Sequence, residues 1–167
     1  MNEVKVRKIL IQCLGNRLRG DDAAGPRVAE LLRTTGLPDD IEIREHWGEA
    51  GDLMDHWQGA ELVILVDAAR SDAAPGTLHS FDAGDAPMPR GLFHSSTHRF
   101  GVAEAVELAR VLGRLPGQVR LYAIEGRSFA LGADLSPEVQ DAARLLAERI
   151  SGDLVESSGR ADPAGRK

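Results

Sequence analysis

Asp21 and Asp22 stand side by side in the segment Gly15-Asn16-Arg17-Leu18-Arg19-Gly20-Asp21-Asp22, soon after the apolar run Ile9-Leu10-Ile11. Two adjacent carboxylates repel each other, so they call for solvation, a cationic partner or a metal ion. Farther along, Asp67 closes the apolar run Leu62-Val63-Ile64-Leu65-Val66, and His98 follows Ser95-Ser96-Thr97, residue types that cap helix starts. A helix N-terminus disfavours imidazolium, which keeps such a ring neutral and able to bind metal. Two carboxylates and one imidazole with open positions suit a divalent transition ion, whereas hard ions favour oxygen ligands alone. The Asp21-Asp22 pair, Asp67 and His98 are therefore the candidates for a metal-binding site. Plainer uses stand beside these: Asp22 can cap the helix that starts near Pro26, and Asp67 can cap the turn after its strand.

The elements that position these residues alternate between strand and helix. Val4 to Leu14 holds a strand with a near-continuous apolar stretch, the pattern of a parallel strand buried on both faces. Pro26 suits a first helical position, Val28, Leu31 and Leu32 form one helical face, and Gly36 stops the helix. Ile41-Glu42-Ile43 alternates as a second strand, and Ala50 to Trp57 reads as a short helix offering Leu53, Met54 and Trp57. Glu61 to Asp67 is the clearest central strand, ending on its carboxylate. After the Pro75-Gly76 turn come a weak strand at Thr77 to Phe81 and a long surface loop from Asp82 to Thr97. A helix then runs from about His98 to Leu112, with Phe100, Ala103, Val106 and Ala109 at helical spacing and Gly113 at its end. Gln118 to Ile124 is a strand, and Ser136-Pro137-Glu138 opens a last helix whose stripe is Val139, Ala142, Leu146 and Ile150.

This order predicts an α/β fold, a three-layer sandwich with a mostly parallel sheet and helices on both faces. Ligands of such sheets bind beyond the carboxyl ends of the strands, near the switch in strand order, which brings the Asp21-Asp22 loop and Asp67 to one edge. One domain over residues 1–150 is expected, with 151–167 a disordered tail, since polar residues, Gly and Pro dominate there.

Composition excludes several classes of function. The net charge of -6, from 20 basic and 26 acidic residues, argues against nucleic acid, whose phosphates need a basic face. No apolar run approaches the roughly 18–20 residues needed to cross a bilayer, and no signal-peptide core follows the N-terminus, so no membrane partner is expected. A single cysteine, Cys13, rules out an internal disulfide and fits a reducing, cytoplasmic setting. Cys13 itself reads as a small buried thiol rather than a nucleophile. His46, His56, His79 and His94 lack partners at ligand spacing and read as surface or satisfied polar residues. A phosphoacceptor receiver shares the acidic pair and the strand-ending Asp, but needs a Lys where Glu125-Gly126 stands. The stretch Cys13 to Leu18 does not match the G-x-G-x-x-G of dinucleotide folds.

Four short motifs in order resemble the hydrogenase maturation proteases: Gly15-Asn16-x-Leu18-x-Gly20-Asp21-Asp22, Gly48-Glu49-Ala50-Gly51, Val66-Asp67-Ala68 and His98-x-x-Gly101. The resemblance covers about Lys8 to Ile150. It implies a five-stranded sheet with one antiparallel strand, the weak one at Thr77 to Phe81. It also implies an aspartic-type endopeptidase that activates a nickel–iron hydrogenase by trimming the C-terminal extension of the large-subunit precursor. It further implies that Asp22, Asp67 and His98 are the catalytic residues and reach the nickel in that precursor, with other divalent ions able to occupy the same ligands and Asp21 a candidate base or supporting residue. Two positions depart from the family pattern: Cys13 and Ala23 stand where Gly is frequent, which bears on the shape of the loop. A non-hydrolytic metal-binding chaperone of the same precursor would use the same three residues and is the alternative.

Overall fold

The computed structural model describes residues 8–46, 50–89, 91–92 and 101–159. Five strands form one sheet: β1 (Ile9–Leu14), β2 (Ile41–His46), β3 (Leu62–Ala69), β4 (Leu78–Asp82) and β5 (Gln118–Glu125), in the spatial order β2-β1-β3-β5-β4. β1 lies between β2 and β3, all parallel, and β3 pairs in parallel with β5. β4 alone runs antiparallel, with Leu78 opposite Ile124 and Asp82 opposite Arg120, as the resemblance implied.

Side-chain alternation on the central strands creates two cores and hence three layers. Ile9, Ile11 and Cys13 of β1 and Ile64, Val66 and Ala68 of β3 face α1 (Ala24–Leu32) and α3 (Pro137–Gly159), where they meet Val28, Leu32, Leu146 and Ile150. Leu10 and Leu14 of β1 and Val63 and Leu65 of β3 face the other way. They meet Leu53 and Trp57, on and just after the 3-10 helix Ala50–His56, and Val102, Ala105 and Val106 of α2 (Val102–Val111). The apolar stripes expected from sequence are buried where they were expected. The buried Trp57 ring is oriented by its Nε1–H, which donates to Gln12 Oε1 at 2.6 Å.

Several boundaries differ from expectation. α1 starts at Ala24, so Pro26 is its third residue; the missing N–H still falls among the first four donors, which have no helical partner. β3 runs past Asp67 through Ala69, because Ala68 and Ala69 continue the pairing with Ile124 and Glu125. The region after β4 was expected to be a surface loop. Its described part is such a loop, mostly exposed, and it is tied to α2: Glu107 accepts the Met88 N–H at 2.9 Å, and Arg110 donates to the carbonyls of Ala83 and Ala86. The expected helix start at His98, with Phe100, and the end of that loop lie outside the described residues.

The largest difference is at the C-terminus. Residues 151–159, expected to be disordered, complete α3. Leu154 is 2% exposed and extends the Leu146–Ile150 stripe at four-residue spacing. Gly152 causes no break, since it lies on the open side with nothing within 4 Å of an added Cβ. Residues 160–167 lie outside the described residues. Leu154→Ala should therefore cost about 2–5 kcal/mol, a typical loss for a buried leucine. At about 2–4 °C per kcal/mol the melting temperature should fall on the order of 5–15 °C. Val155→Ala, on the exposed face, should leave it nearly unchanged. Equal melting of the two variants would show that the end of α3 does not dock.

Candidate functional site

The acidic loop is shaped by a glycine that no other residue can replace. Gly15 has φ +138, and a Cβ there would collide with the Asp22 carbonyl oxygen. This close approach lets the Asn16 N–H donate to Asp22 Oδ2 at 3.1 Å. Asn16 has the local turn role expected of it, with Oδ1 accepting the Leu18 N–H at 2.9 Å. Outside the turn, Arg17 grips Glu45 of β2 through Nε and Nη2 at 2.9 and 2.8 Å, and Arg33 reaches the same carboxylate at 2.6 Å. Both guanidinium groups hold Glu45 below the usual carboxylate range against the opposing effect of burial.

Asp21 and Asp22 divide into two roles. Asp21 is fully buried. Its Oδ2 accepts the N–H of Arg127 at 2.7 Å, that of Ser128 at 3.0 Å and the Ser136 hydroxyl at 2.8 Å, while Oδ1 accepts the Ser136 N–H at 2.7 Å. Burial alone would raise its pKa, but these hydrogen bonds outweigh it and hold the carboxyl below its ordinary value. Asp21 therefore holds the loop in place through four hydrogen bonds from residues 127, 128 and 136. Asp22 lies in the 3-10 turn Gly20–Ala23, and neither that turn nor α1 uses a side-chain cap, so it is not a helix cap.

Asp67 projects from β3, and its Oδ1 accepts the N–H of the following Ala68 at 2.8 Å. The strand continues beyond it, so it caps no turn. Its pKa is pushed up to about 8: burial is the main cause, the Ala68 N–H opposes it, and the charge of Asp22 raises it further. Asp22 and Asp67 thus feel each other at the carboxyl ends of neighbouring strands, where the sheet topology places a ligand. Among the described residues, no group of three His, Cys, Asp or Glu side chains is placed to hold a metal ion. His98 and His94 lie outside the described residues.

Two residues have functions that sequence spacing could not assign. Glu125, at the end of β5, is fully buried and accepts the Ser71 N–H at 2.6 Å and the Ser71 hydroxyl at 2.9 Å, with His79 Nε2 at 3.2 Å. It anchors the chain that leaves β3. The one available hint was an acidic residue ending an otherwise apolar strand. Gly126 follows, and a side chain there would strike the Phe129 ring and crowd Asp21. His79 is thus a satisfied polar residue, as is His56, whose Nδ1 pairs with the Asp52 carbonyl at 3.0 Å. Cys13 is buried in β1, and burial together with the nearby Glu45 charge raises its thiol well above the usual range, which leaves it no nucleophile. Neither departure disturbs the loop, because among the described residues no non-glycine residue has positive φ, Cys13 and Ala23 included.

The family model described as hydrogenase maturation protease matches residues 26–153. The chain belongs to this family. It is a peptidase, and the resemblance read from the four motifs holds. The maturation endopeptidase HybD of Escherichia coli has the same fold, with a TM-score of 0.75 at 27% identity over 90% of this chain and 93% of that one. The Hydrogenase 2 maturation protease of Escherichia coli is 29% identical over 160 residues, covering 93% of this chain and 96% of the relative. The hydrogenase expression/formation protein HupM of Azotobacter chroococcum is 30% identical over 151 residues, 84% of this chain and 72% of the relative.

The two aspartates have opposite effects on pH-dependent stability in metal-free protein. Asp21 has a lowered folded pKa, so its contribution is present above the unfolded value near 4 and fades as pH falls through the folded one. Asp21→Asn replaces one accepting oxygen with a donor and should cost roughly 1.5–3 kcal/mol at neutral pH, with the deficit shrinking in acid. Asp67 has a raised folded pKa, so stability is full below about 4 and is lost as pH rises to about 8. Asp67→Asn should therefore melt above wild type at pH 8, with its advantage vanishing near pH 4. Melting curves across this range check both; a pH-independent offset for either variant would contradict its assignment.

Proposed function

We propose that this protease removes the C-terminal extension of a nickel–iron hydrogenase large-subunit precursor after nickel insertion, and that Asp22, Asp67 and His98 read the nickel carried by the substrate. The observation that carries this reading is the match to the hydrogenase maturation protease family over residues 26–153, and it agrees with the Asp67 carboxyl, which burial and the Asp22 charge push up to about 8. Such a group holds its proton at neutral pH for want of a cation, and a divalent ion is the partner that would displace it. The metal then belongs to the substrate, and its presence marks the precursor as ready for cleavage.

The chemistry fits an aspartic-type peptidase. The buried Cys13 thiol is not available for attack, and a carboxylate titrating near neutral pH is suited to move a proton to or from a water. Bound nickel supplies polarisation of the scissile carbonyl or of that water. Asp67, on a central strand, holds its position rigidly, while Asp22 is held by Gly15 and Asn16. We place the reaction in the cytoplasm. A lone buried thiol fits a reducing compartment, and among the described residues no helix is long and apolar enough to cross a membrane.

Mass analysis of nickel-loaded and nickel-free precursor, each incubated with the protein, tests the reading. Cleavage near the C-terminus of the loaded form alone is expected, and equal cleavage of both would overturn the role of the metal. Asp67→Asn should abolish processing while remaining folded. His98→Ala should lower divalent-ion affinity by more than about tenfold, a loss seen even for groups that merely support a ligand. Unchanged binding would remove His98 from the site.

A further inference from the structure

Arg70 follows the last residue of β3 and stands three positions beyond Asp67. Its backbone is held on both sides. The Ala69 carbonyl accepts the Gly126 N–H at 2.9 Å, and the Arg70 N–H donates to the Leu92 carbonyl at 3.1 Å. Ser71, the next residue, gives both its N–H and its hydroxyl to the buried Glu125. The side chain, by contrast, is exposed and lies over the Phe129 ring, 5.6 Å from its centroid.

Among the described residues Arg70 has no carboxylate partner, whereas Arg17 and Arg33 share Glu45 and Arg127 pairs with Glu138. Phe129 is packed where a Cβ on Gly126 would strike its ring, and that same Cβ would lie 2.9 Å from the Cβ of Asp21. The exposed guanidinium thus lies beyond the end of the Asp67 strand, over a ring that packs next to Asp21. Stacking has already removed part of its freedom, and its planar donor fork matches a carboxylate.

We propose that Arg70 is a substrate-binding residue that takes a carboxylate of the polypeptide being cleaved; the proposal rests on the processing reading given above. The Asp22 carboxylate would repel an anionic stretch of substrate, and a cation beyond the Asp67 strand directs that charge to one place beside it. A hydrogen-bonded backbone under an exposed guanidinium that has no carboxylate partner among the described residues is what such recognition requires.

The test compares wild type with Arg70→Gln, Arg70→Lys and Arg70→Glu. It measures kcat and KM for the nickel-loaded precursor at low and high salt, direct binding of the precursor, and melting temperature. Arg70→Gln should raise KM and Kd about tenfold, the effect of one lost charge-assisted hydrogen bond, with kcat and melting unchanged. Arg70→Glu should be worse, Arg70→Lys intermediate, and the wild-type advantage should shrink in salt. Unchanged KM and Kd in Arg70→Glu, or a loss confined to kcat, would overturn the proposal. Precursors with an amidated C-terminus, or with Asp and Glu near the cut changed to Asn and Gln, show which carboxylate is taken. Dependence on Arg70 that survives every one of these changes also overturns it. Wild type that binds the precursor through Arg70 without cutting it would instead overturn the processing reading alone.

Discussion

The fold around the site depends on the burial of one charge. The Asp21 carboxylate is closed off from solvent, and its oxygens are filled by donors from residues 127, 128 and 136. A bare carboxylate in that position would be very costly, and each of these bonds is stronger for ending on a full negative charge. Through it the loop after β1 is joined to the segment between β5 and α3. The backbone reinforces the join, since Asp21 and Gly20 donate to the carbonyls of Ser128 and Ala133. Asp22 inherits its placement from this anchor. The adjacent acids, alike in sequence, are divided by their partners: Asp21 is closed over by donors from far along the chain, and Asp22 accepts the N–H of Asn16 within its own loop.

A second buried carboxylate performs the matching task on the other side. Glu125 secures the chain leaving β3, so that the strand bearing Asp67 ends in a defined path. Asp67 differs from both of these acids. Burial suppresses its acidity, the N–H of Ala68 opposes this, and the like charge of Asp22 adds to it. Asp21 and Asp67, two acids at one edge of the sheet, are thus shifted in opposite directions, one by the donors aimed at it and the other by burial.

Much of this was legible from residue order. The continuous apolar runs of β1 and β3 announced parallel strands covered on both faces, and the stripes of α1 and α3 announced which side chains would meet them. The position of Asp22 and Asp67 on one edge followed from topology, and local spacing found the turn at Asn16. The roles of Asp21 and Glu125 were hidden because their partners lie far away in sequence. Asp21 binds residues 106 to 115 positions distant, and Glu125 binds Ser71 at a separation of 54. The end of α3 was misjudged for a different reason: one leucine at the right spacing outweighs a polar, glycine-containing composition. Capping was the ordinary expectation for an Asp beside a helix, and only the loop's backbone geometry excluded it for Asp22.

The antiparallel β4 and the opposite edge strand β2 have a consequence for how a polypeptide can approach. Both edges expose polar side chains: Ser80 and Asp82 on β4, and Arg44 on β2, which is tied to Glu42 along its own strand. Charged, short edges discourage another chain from zipping on as an extra strand. A protease that handles unstructured tails is thereby protected from templating their aggregation along its flanks.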